Sequence, residues 1–133
     1  MKPRILIIDD DQVITQQLFW TLSGDYEVMT ANDLQTAVRR ATIYAPHVSI
    51  LDLRFPPRDN SPDVGLRILE YIKAHVPQSK VLVITAADGS DLEKTCHAGG
   101  ADEFLTKPFD TEQLLSIVRR LAPLKQLDFA YPG

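Results

Sequence analysis

The sequence predicts an α/β domain in which a parallel sheet carries helices on both of its faces. Five short apolar runs alternate with five amphipathic segments along the chain, and this alternation is typical of strand–helix–strand units. The 133 residues are enough for one domain with a full core. Apolar residues make up 44% and charged residues 24% of the chain, as in ordinary globular domains.

The first half of the chain is predicted to hold three strands and two helices. The strands are Ile5–Ile8, Tyr26–Thr30 and Val48–Leu51. The first helix places three apolar residues on one face at four-residue spacing and ends at Gly24. These apolar residues are Ile14, Leu18 and Leu22. The second helix begins after Asn32 or Asp33, either of which can cap it, and ends before Pro46.

The second half continues the same alternation. Gly65 opens the third helix, and Ser90 or Asp91 starts the fourth. Asp110 and Gln113 have the spacing of a capping box for the fifth helix. The remaining elements are the strands Val81–Ile84 and Asp102–Leu105 and the helix Thr111–Leu121. We therefore expect one domain over residues 1–122, followed by a tail or the start of a linker over 123–133.

Composition excludes several classes of protein. The net charge of −4 argues against a surface that binds nucleic acid directly. Cys96 is the only cysteine, so the chain has no internal disulfide, which suits a cytoplasmic location. No apolar run is long enough to serve as a signal segment or to span a membrane. Cys96 is expected to pack in its helix, and Trp20 is expected in the core or partly at the surface and not as a platform for a ligand.

Polar residues follow the predicted strands at the points where the strands end. Asp9 and Asp10 come after the first strand and Asp52 after the third. Thr85 closes the fourth strand, and Lys107 comes after the fifth. Right-handed crossovers place all these strand ends on one edge of the sheet, where open α/β sheets bind their ligands. These residues are therefore predicted to meet in one site.

The predicted site combines three carboxylates with an ammonium and a hydroxyl. Two carboxylates about 4 Å apart repel each other by about 4 kcal/mol at an effective dielectric constant near 20. Asp9, Asp10 and Asp52 therefore require a cation, and carboxylate oxygens with water suit Mg²⁺. Lys107 and Thr85 offer a charge and a donor for a phosphoryl group.

These motifs resemble those of response-regulator receiver domains of two-component signalling over nearly the whole chain. The matching motifs are Ile-Leu-Ile-Ile-Asp-Asp at the start, Ile-Leu-Asp-Leu-x-x-Pro at Asp52, Val-Ile-Thr-Ala at Thr85 and Gly-Ala-Asp-Glu-Phe-Leu-Thr-Lys-Pro-Phe near the end. The resemblance implies a flavodoxin-like, doubly wound, five-stranded sheet of order 2-1-3-4-5 with five helices.

The resemblance also implies a function. Asp52 would accept a phosphoryl group from the phosphohistidine of a sensor histidine kinase or from a phosphotransfer protein. Asp9, Asp10 and Asp52 would hold Mg²⁺ together with the backbone carbonyl of Arg54. The domain would catalyse only its own phosphorylation and a slow loss of the phosphate, so it is not expected to be an enzyme acting on other substrates.

A conformational switch is implied as well. Lys107 and Thr85 would bind phosphoryl oxygens, and Phe104 would change rotamer when Thr85 moves. The surface formed by the fourth helix, fifth strand and fifth helix would then change. An output domain or target protein would read this surface, and phosphorylation could drive dimerisation through it.

The segment after Asp52 departs from the usual receiver pattern. Gly65 follows Asp52 by 13 positions, so the proline-rich loop 56–63 is longer than in most receivers. We expect this loop to shape kinase access or to cover the phosphoryl site. Arg54 and Ala87 are expected to modulate the lifetime of the phosphate.

Two alternatives stay open from the residues alone. Asp9-x-Asp11 after the first strand matches the motif of haloacid-dehalogenase-type phosphatases, in which Asp9 would be the nucleophile. That alternative gives Asp52 no role. The second alternative is a receiver-like interaction module that is not phosphorylated, although such modules usually lack one of the acids or the lysine.

Overall fold

The computed structural model describes residues 2–53, 63–86 and 91–124. Its sheet has five strands in the order β2-β1-β3-β4-β5, and every neighbouring pair is parallel. The strands are β1 (Arg4–Ile8), β2 (Glu27–Ala31), β3 (Val48–Asp52), β4 (Lys80–Ala86) and β5 (Glu103–Lys107). The predicted fold class and the strand order implied by the resemblance are both confirmed.

A helix follows each strand. The helices are α1 (Gln12–Leu22), α2 (Leu34–Tyr44), α3 (Asp63–His75), α4 (Leu92–Ala98) and α5 (Thr111–Leu121). The side chains of Asp11 and Asp33 accept backbone N–H groups at the starts of α1 and α2, which satisfies donors that have no partner inside a helix. Asp110 precedes α5 without a capping hydrogen bond from its side chain, so the predicted capping box with Gln113 is wrong. Asp110 is exposed, and water competes for its carboxylate there.

Pairing with neighbouring strands extends the elements beyond their apolar runs. Thr85 pairs with Thr106, and Ala86 pairs with Lys107, so β4 and β5 run further toward their carboxyl ends than predicted. Thr85 is therefore inside β4 and not its last residue. Such shifts are expected, because a strand ends where its backbone hydrogen bonds to the neighbouring strand end and not where its apolar residues end.

Apolar side chains form one core cluster on each face of the sheet. Successive residues of a strand point to opposite faces, so Leu6 and Ile8 belong to one cluster and Ile5 and Ile7 to the other. All four are fully buried. The first cluster includes residues of α2, α3 and α4, and the second includes residues of α1 and α5. Cys96 is fully buried in the first cluster, which confirms its predicted packing role.

Hydrogen bonds tie the elements together where the strands begin, an edge called here the amino rim. Lys73 of α3 donates to the carbonyl of Ser79 at 3.1 Å and to the carboxylate of Asp102 at 3.2 Å. Asp102 also accepts the backbone N–H of Val81 at 2.8 Å. The buried hydroxyls of Ser49 and Ser79 lie 3.1 Å apart. The end of α3, the start of β4 and the turn before β5 are thus held in one arrangement.

Gly65 allows α3 to pack directly on the chain beside Asp52. A Cβ atom at Gly65 would lie 2.3 Å from the Cα atom of Leu53 and 2.5 Å from its carbonyl oxygen. No side chain fits in that space, so only glycine permits this contact. The start of α3 is therefore fixed against the residue that follows the end of β3.

Within the three described ranges, no helix has the length and apolar character needed to cross a membrane.

Candidate functional site

Three of the predicted site residues meet where the strands end, an edge called here the carboxyl rim. Asp9 follows β1, Asp52 is the last residue of β3, and Lys107 is the last residue of β5. Lys107 Nζ lies 2.9 Å from an Asp52 carboxylate oxygen and 3.8 Å from one of Asp9. Asp9 and Asp52 are only 5% and 7% exposed. Residues nearly a hundred positions apart thus form a semi-enclosed polar cluster.

Burial makes negative charge costly at this rim. It raises the pKa of Asp9 to about 6, although the N–H of Asp11 lowers this pKa by donating to Asp9 Oδ1 at 2.9 Å. The nearby charges of Asp52 and Asp10 raise the pKa of Asp9 further, and Lys107 opposes them. The pKa of Asp10 is also raised, by burial and then by the charges of Asp52 and Asp11. These carboxylates therefore favour the arrival of a positive group.

Lys107 remains charged in this environment. Burial lowers the pKa of Lys107, but the hydrogen bond to Asp52 and the charges of Asp52 and Asp9 outweigh it and raise the pKa. The Lys107–Pro108 peptide bond is cis. An ammonium is thus held between two carboxylates, where it can also contact the oxygens of an incoming phosphoryl group.

Thr85 contributes a hydroxyl with an unmet hydrogen bond. Its side chain is 1% exposed, and Oγ1 finds no partner among the residues that the structure describes. Thr85 follows Ile84, which pairs with Asp52 in the sheet, so its hydroxyl belongs to the strand beside the carboxylate. A buried polar atom without a partner costs about 1–3 kcal/mol. A phosphoryl oxygen bound at Asp52 is one acceptor that would satisfy it.

The donor set fits Mg²⁺ bound mainly through water. No group of three Asp, Glu, His or Cys side chains in the described ranges is arranged to enclose a metal ion. Mg²⁺ retains several waters and needs only one or two carboxylates and a phosphoryl oxygen. Asp9 and Asp10, whose pKa values are raised by burial and by neighbouring negative charges, have the hard oxygen ligands and the excess charge that such an ion neutralises.

Some expected site residues lie outside the described residues. These are Arg54 and Ala87, together with the part of the long loop that runs from 56 to 62. The metal contact expected of the Arg54 carbonyl and the modulating roles of both side chains stay predictions. Phe104, the expected switch residue, is half-buried in β5 and packs against the cluster that includes α2, α3 and α4.

Two supporting contacts of Asp9 were not anticipated from the sequence. Asp11 caps α1 with its side chain, and its N–H also fixes the Asp9 carboxylate. The Thr15 hydroxyl donates to the backbone carbonyl of Asp9 at 3.4 Å. Spacing gives a signal for the first contact, since aspartate side chains commonly accept the N–H two residues later. The Thr15 contact has no such signal, because it depends on the direction in which α1 runs from the carboxyl rim.

Comparison with protein families gives a match over most of the chain. The family model described as response regulator receiver domain matches residues 5–119. The response regulator MprA of Mycobacterium ulcerans is 31% identical over 96% of this chain and 53% of that protein. The chain spans about half the length of the curated relatives it matches.

Solved structures show the same architecture. The Vibrio cholerae chemotaxis protein CheY4 superposes with a TM-score of 0.79 at 27% identity, over 91% of this chain and 99% of that one. A response regulator from Burkholderia pseudomallei was solved with a phosphorylated aspartic acid, a calcium ion and citrate. It superposes with a TM-score of 0.76 at 25% identity, over 86% of this chain and 65% of that one.

Proposed function

The chain belongs to the response regulator receiver domain family of two-component systems, and we propose that it is a phosphorylation-dependent switch with Asp52 as the phosphoacceptor. The observation that carries the proposal is the pairing of Asp52 with Lys107 at 2.9 Å, beside the buried hydroxyl of Thr85. The carboxylate, the cation and the donor are the three groups that an acyl phosphate at this position needs.

In the proposed transfer, an Asp52 carboxylate oxygen attacks the phosphorus of a phosphohistidine. The new O–P bond forms as the P–N bond breaks, and the bonding pair stays on the imidazole nitrogen of the donor, which takes up a proton. Lys107 neutralises charge on the phosphoryl oxygens, and Thr85 donates a hydrogen bond to one of them. Phosphoryl transfer relies mainly on such positioning and neutralisation.

Mg²⁺ would be held by Asp9 and Asp10 with Asp52, and it would neutralise the charge of the transferred phosphoryl group. The carboxylate of Asp9 is already oriented for this role by the N–H of Asp11. The Burkholderia pseudomallei protein was solved with both a phosphorylated aspartic acid and a calcium ion, which supports phosphorylation of an aspartate and binding of a divalent cation by proteins of this fold.

A groove beside Lys107 offers a surface for the phosphodonor. It has a volume of about 440 Å³ and lies between α1 and the segment that joins β5 to α5. Apolar side chains line much of it, including Ile14, Leu18 and Phe109. We infer that a histidine kinase or phosphotransfer protein docks here, because the groove leads directly to the proposed phosphoryl site.

The proposed output is the surface formed by α4, β5 and α5. Thr85 would move toward the phosphoryl group and Phe104 would follow it, and this change would alter the surface. Arg120 and Glu103 already form a 2.8 Å ion pair there. Curated relatives about twice as long include transcriptional regulatory proteins. We therefore expect an attached output domain to bind this surface.

The test is to locate the phosphate chemically. The protein is incubated with acetyl phosphate and Mg²⁺, and the modified residue is identified by mass spectrometry. We expect one phosphoryl group on Asp52, none on Asp52→Asn, and full modification of the matched control Asp102→Asn at the amino rim. Modification at Asp9 would instead support the phosphatase alternative, and no modification at all would support the unphosphorylated module.

A further inference from the structure

A second cavity lies next to the carboxyl rim, on the side of the edge strand. It has a volume of about 620 Å³ and separates α1 from the start of α2 above the end of β2. Gln12, Gln16 and Trp20 line one wall at four-residue spacing, which places them on one face of α1. Asn32 and Arg40 line the opposite wall. The proposed phosphoryl transfer uses none of these five side chains.

Trp20 is the unusual member of this wall. Its side chain is 77% exposed, so it lies at the surface and not in the core. The Phe19 ring contacts it in a T-shaped arrangement, with ring centroids 5.9 Å apart and an interplanar angle of 86°. This contact supports the indole while most of its surface stays open. Val13 of the same helix is similarly exposed but does not line the cavity.

The polar groups of the cavity have a definite chemistry. The amides of Gln12, Gln16 and Asn32 can each donate and accept hydrogen bonds. Arg40 is held in place because its guanidinium donates to the carbonyl of Thr30. A guanidinium has five N–H donors, so others remain to contact an anion.

We propose that this cavity binds a small nucleotide-like ligand, with a planar heteroaromatic ring stacked on Trp20 and an anionic group directed to Arg40. Ring edges with mixed donors and acceptors match the three amides. The volume falls within the range of small-molecule sites, about 300–1,000 Å³. Asp9 lines the same cavity, and its negative charge directs the anionic group of the ligand away from it and toward Arg40.

Trp20 makes the proposal directly measurable, because it is the only tryptophan of the chain. Its fluorescence is followed during titration with AMP, adenosine or inorganic phosphate in the presence of EDTA. We expect saturable quenching by AMP, about tenfold weaker binding of adenosine because the charge-assisted hydrogen bond is lost, and no quenching by phosphate alone. The proposal does not depend on phosphorylation of Asp52, since the titration needs neither Mg²⁺ nor a phosphodonor.

Substitutions distinguish the contribution of the aromatic ring to binding from that of the anionic group. Arg40→Gln is expected to weaken AMP about tenfold and to leave adenosine unchanged, whereas Gln16→Ala weakens both ligands. Gln17→Ala is the matched control, because Gln17 is the next residue of α1 and does not line this cavity. In Trp20→Phe, amide chemical shifts of Gln12 and Gln16 in NMR spectra replace fluorescence as the readout.

Several outcomes overturn the proposal. One is the lack of saturable quenching by AMP and adenosine at millimolar concentration. A second is an equal effect of Gln16→Ala and Gln17→Ala. A third is binding that requires Mg²⁺ and disappears in Asp52→Asn, since this would place the phosphate of AMP at the carboxyl rim.

Discussion

At the amino rim Lys73 and Asp102 form an ion pair of 3.2 Å, and at the carboxyl rim Lys107 and Asp52 form one of 2.9 Å. The surroundings of the two pairs differ. Asp102 also accepts the N–H of Val81, and Lys73 also donates to a backbone carbonyl. The first pair therefore lies in a network in which donors and acceptors are matched.

The second pair lies among groups that are not matched. Lys107 is shared between Asp52 and Asp9, Asp10 adds a further negative charge, and the Thr85 hydroxyl has no acceptor within the described ranges. The comparison teaches that one end of the sheet holds the fold together, while the other keeps charges and a donor that a bound group can satisfy. Three sets of substitutions test this difference.

Replacing Asp9 by asparagine should give the largest effect. Asp9 has a pKa of about 6 in the folded protein against an ordinary value of 3.8, so the folded state binds the proton more tightly. Above about pH 6, the charge of Asp9 therefore lowers the free energy of unfolding by its full amount. This cost decreases as the pH falls toward 3.8, and it is absent below 3.8. The difference between these pKa values corresponds to about 3 kcal/mol.

Asp9→Asn should accordingly raise the free energy of unfolding by up to about 3 kcal/mol above the folded-state pKa. Urea denaturation across this pH range, in EDTA, measures the effect. The slope of stability against pH should flatten in Asp9→Asn and persist in the control Asp25→Asn, which changes an exposed aspartate in the turn before β2. A loss of stability in Asp9→Asn would mean that Asp9 is structural, like Asp102.

Removing the Asp102 carboxylate at the amino rim should lower the free energy of unfolding, the opposite of the effect expected for Asp9→Asn. Asp102→Ala leaves the Val81 N–H and the Lys73 ammonium without their acceptor, and we expect it to cost about 2 kcal/mol. Phosphorylation of Asp52 should be retained. Chemical denaturation and the acetyl phosphate assay measure the two effects.

A double-mutant cycle with Lys73→Met then gives the energy of the pair itself. The double variant should recover part of the loss, because the unpaired ammonium is gone. If Asp102→Ala abolished phosphorylation while the protein stayed folded, the proposed division between the two rims would be wrong.

The smallest expected effect concerns one hydroxyl at each rim. Thr85→Val replaces a buried hydroxyl without a described partner by a methyl group of similar shape, and should raise the free energy of unfolding by about 1 kcal/mol. Ser49→Ala removes the hydrogen-bond partner of the buried Ser79 hydroxyl, and should lower the free energy of unfolding by about 1 kcal/mol. The comparison would be contradicted if thermal or urea denaturation showed that both substitutions raise, or both lower, the free energy of unfolding.

The sequence predicted the meeting of Asp9, Asp52 and Lys107 because a parallel sheet with right-handed crossovers brings its strand ends together whatever the loop lengths. It did not predict that Thr85 lies inside β4, since that depends on pairing with Thr106 of another strand. Nor did it predict the contact of Lys73 with Asp102, because no local pattern links two residues that are 29 positions apart.

Helix properties were predictable only where the decisive groups are local. Asp11 and Asp33 cap their helices through bonds to residues two or three positions away. Trp20 lies two positions from both Leu18 and Leu22, so the helical period that predicts the buried face of α1 also places the indole on the opposite, exposed side.

The contact between Gly65 and Leu53 has a consequence for how this chain can tolerate insertions. Because the backbones at these two positions touch, Leu53 and the start of α3 are held close together, whatever number of residues joins them. The entropy of closing the intervening segment 54–62 grows slowly with its length, by about 0.6 kcal/mol for each doubling. Residues can therefore be added there at little cost to stability and without displacing Asp52, so this segment is free to diversify while the chemistry beside it stays constant.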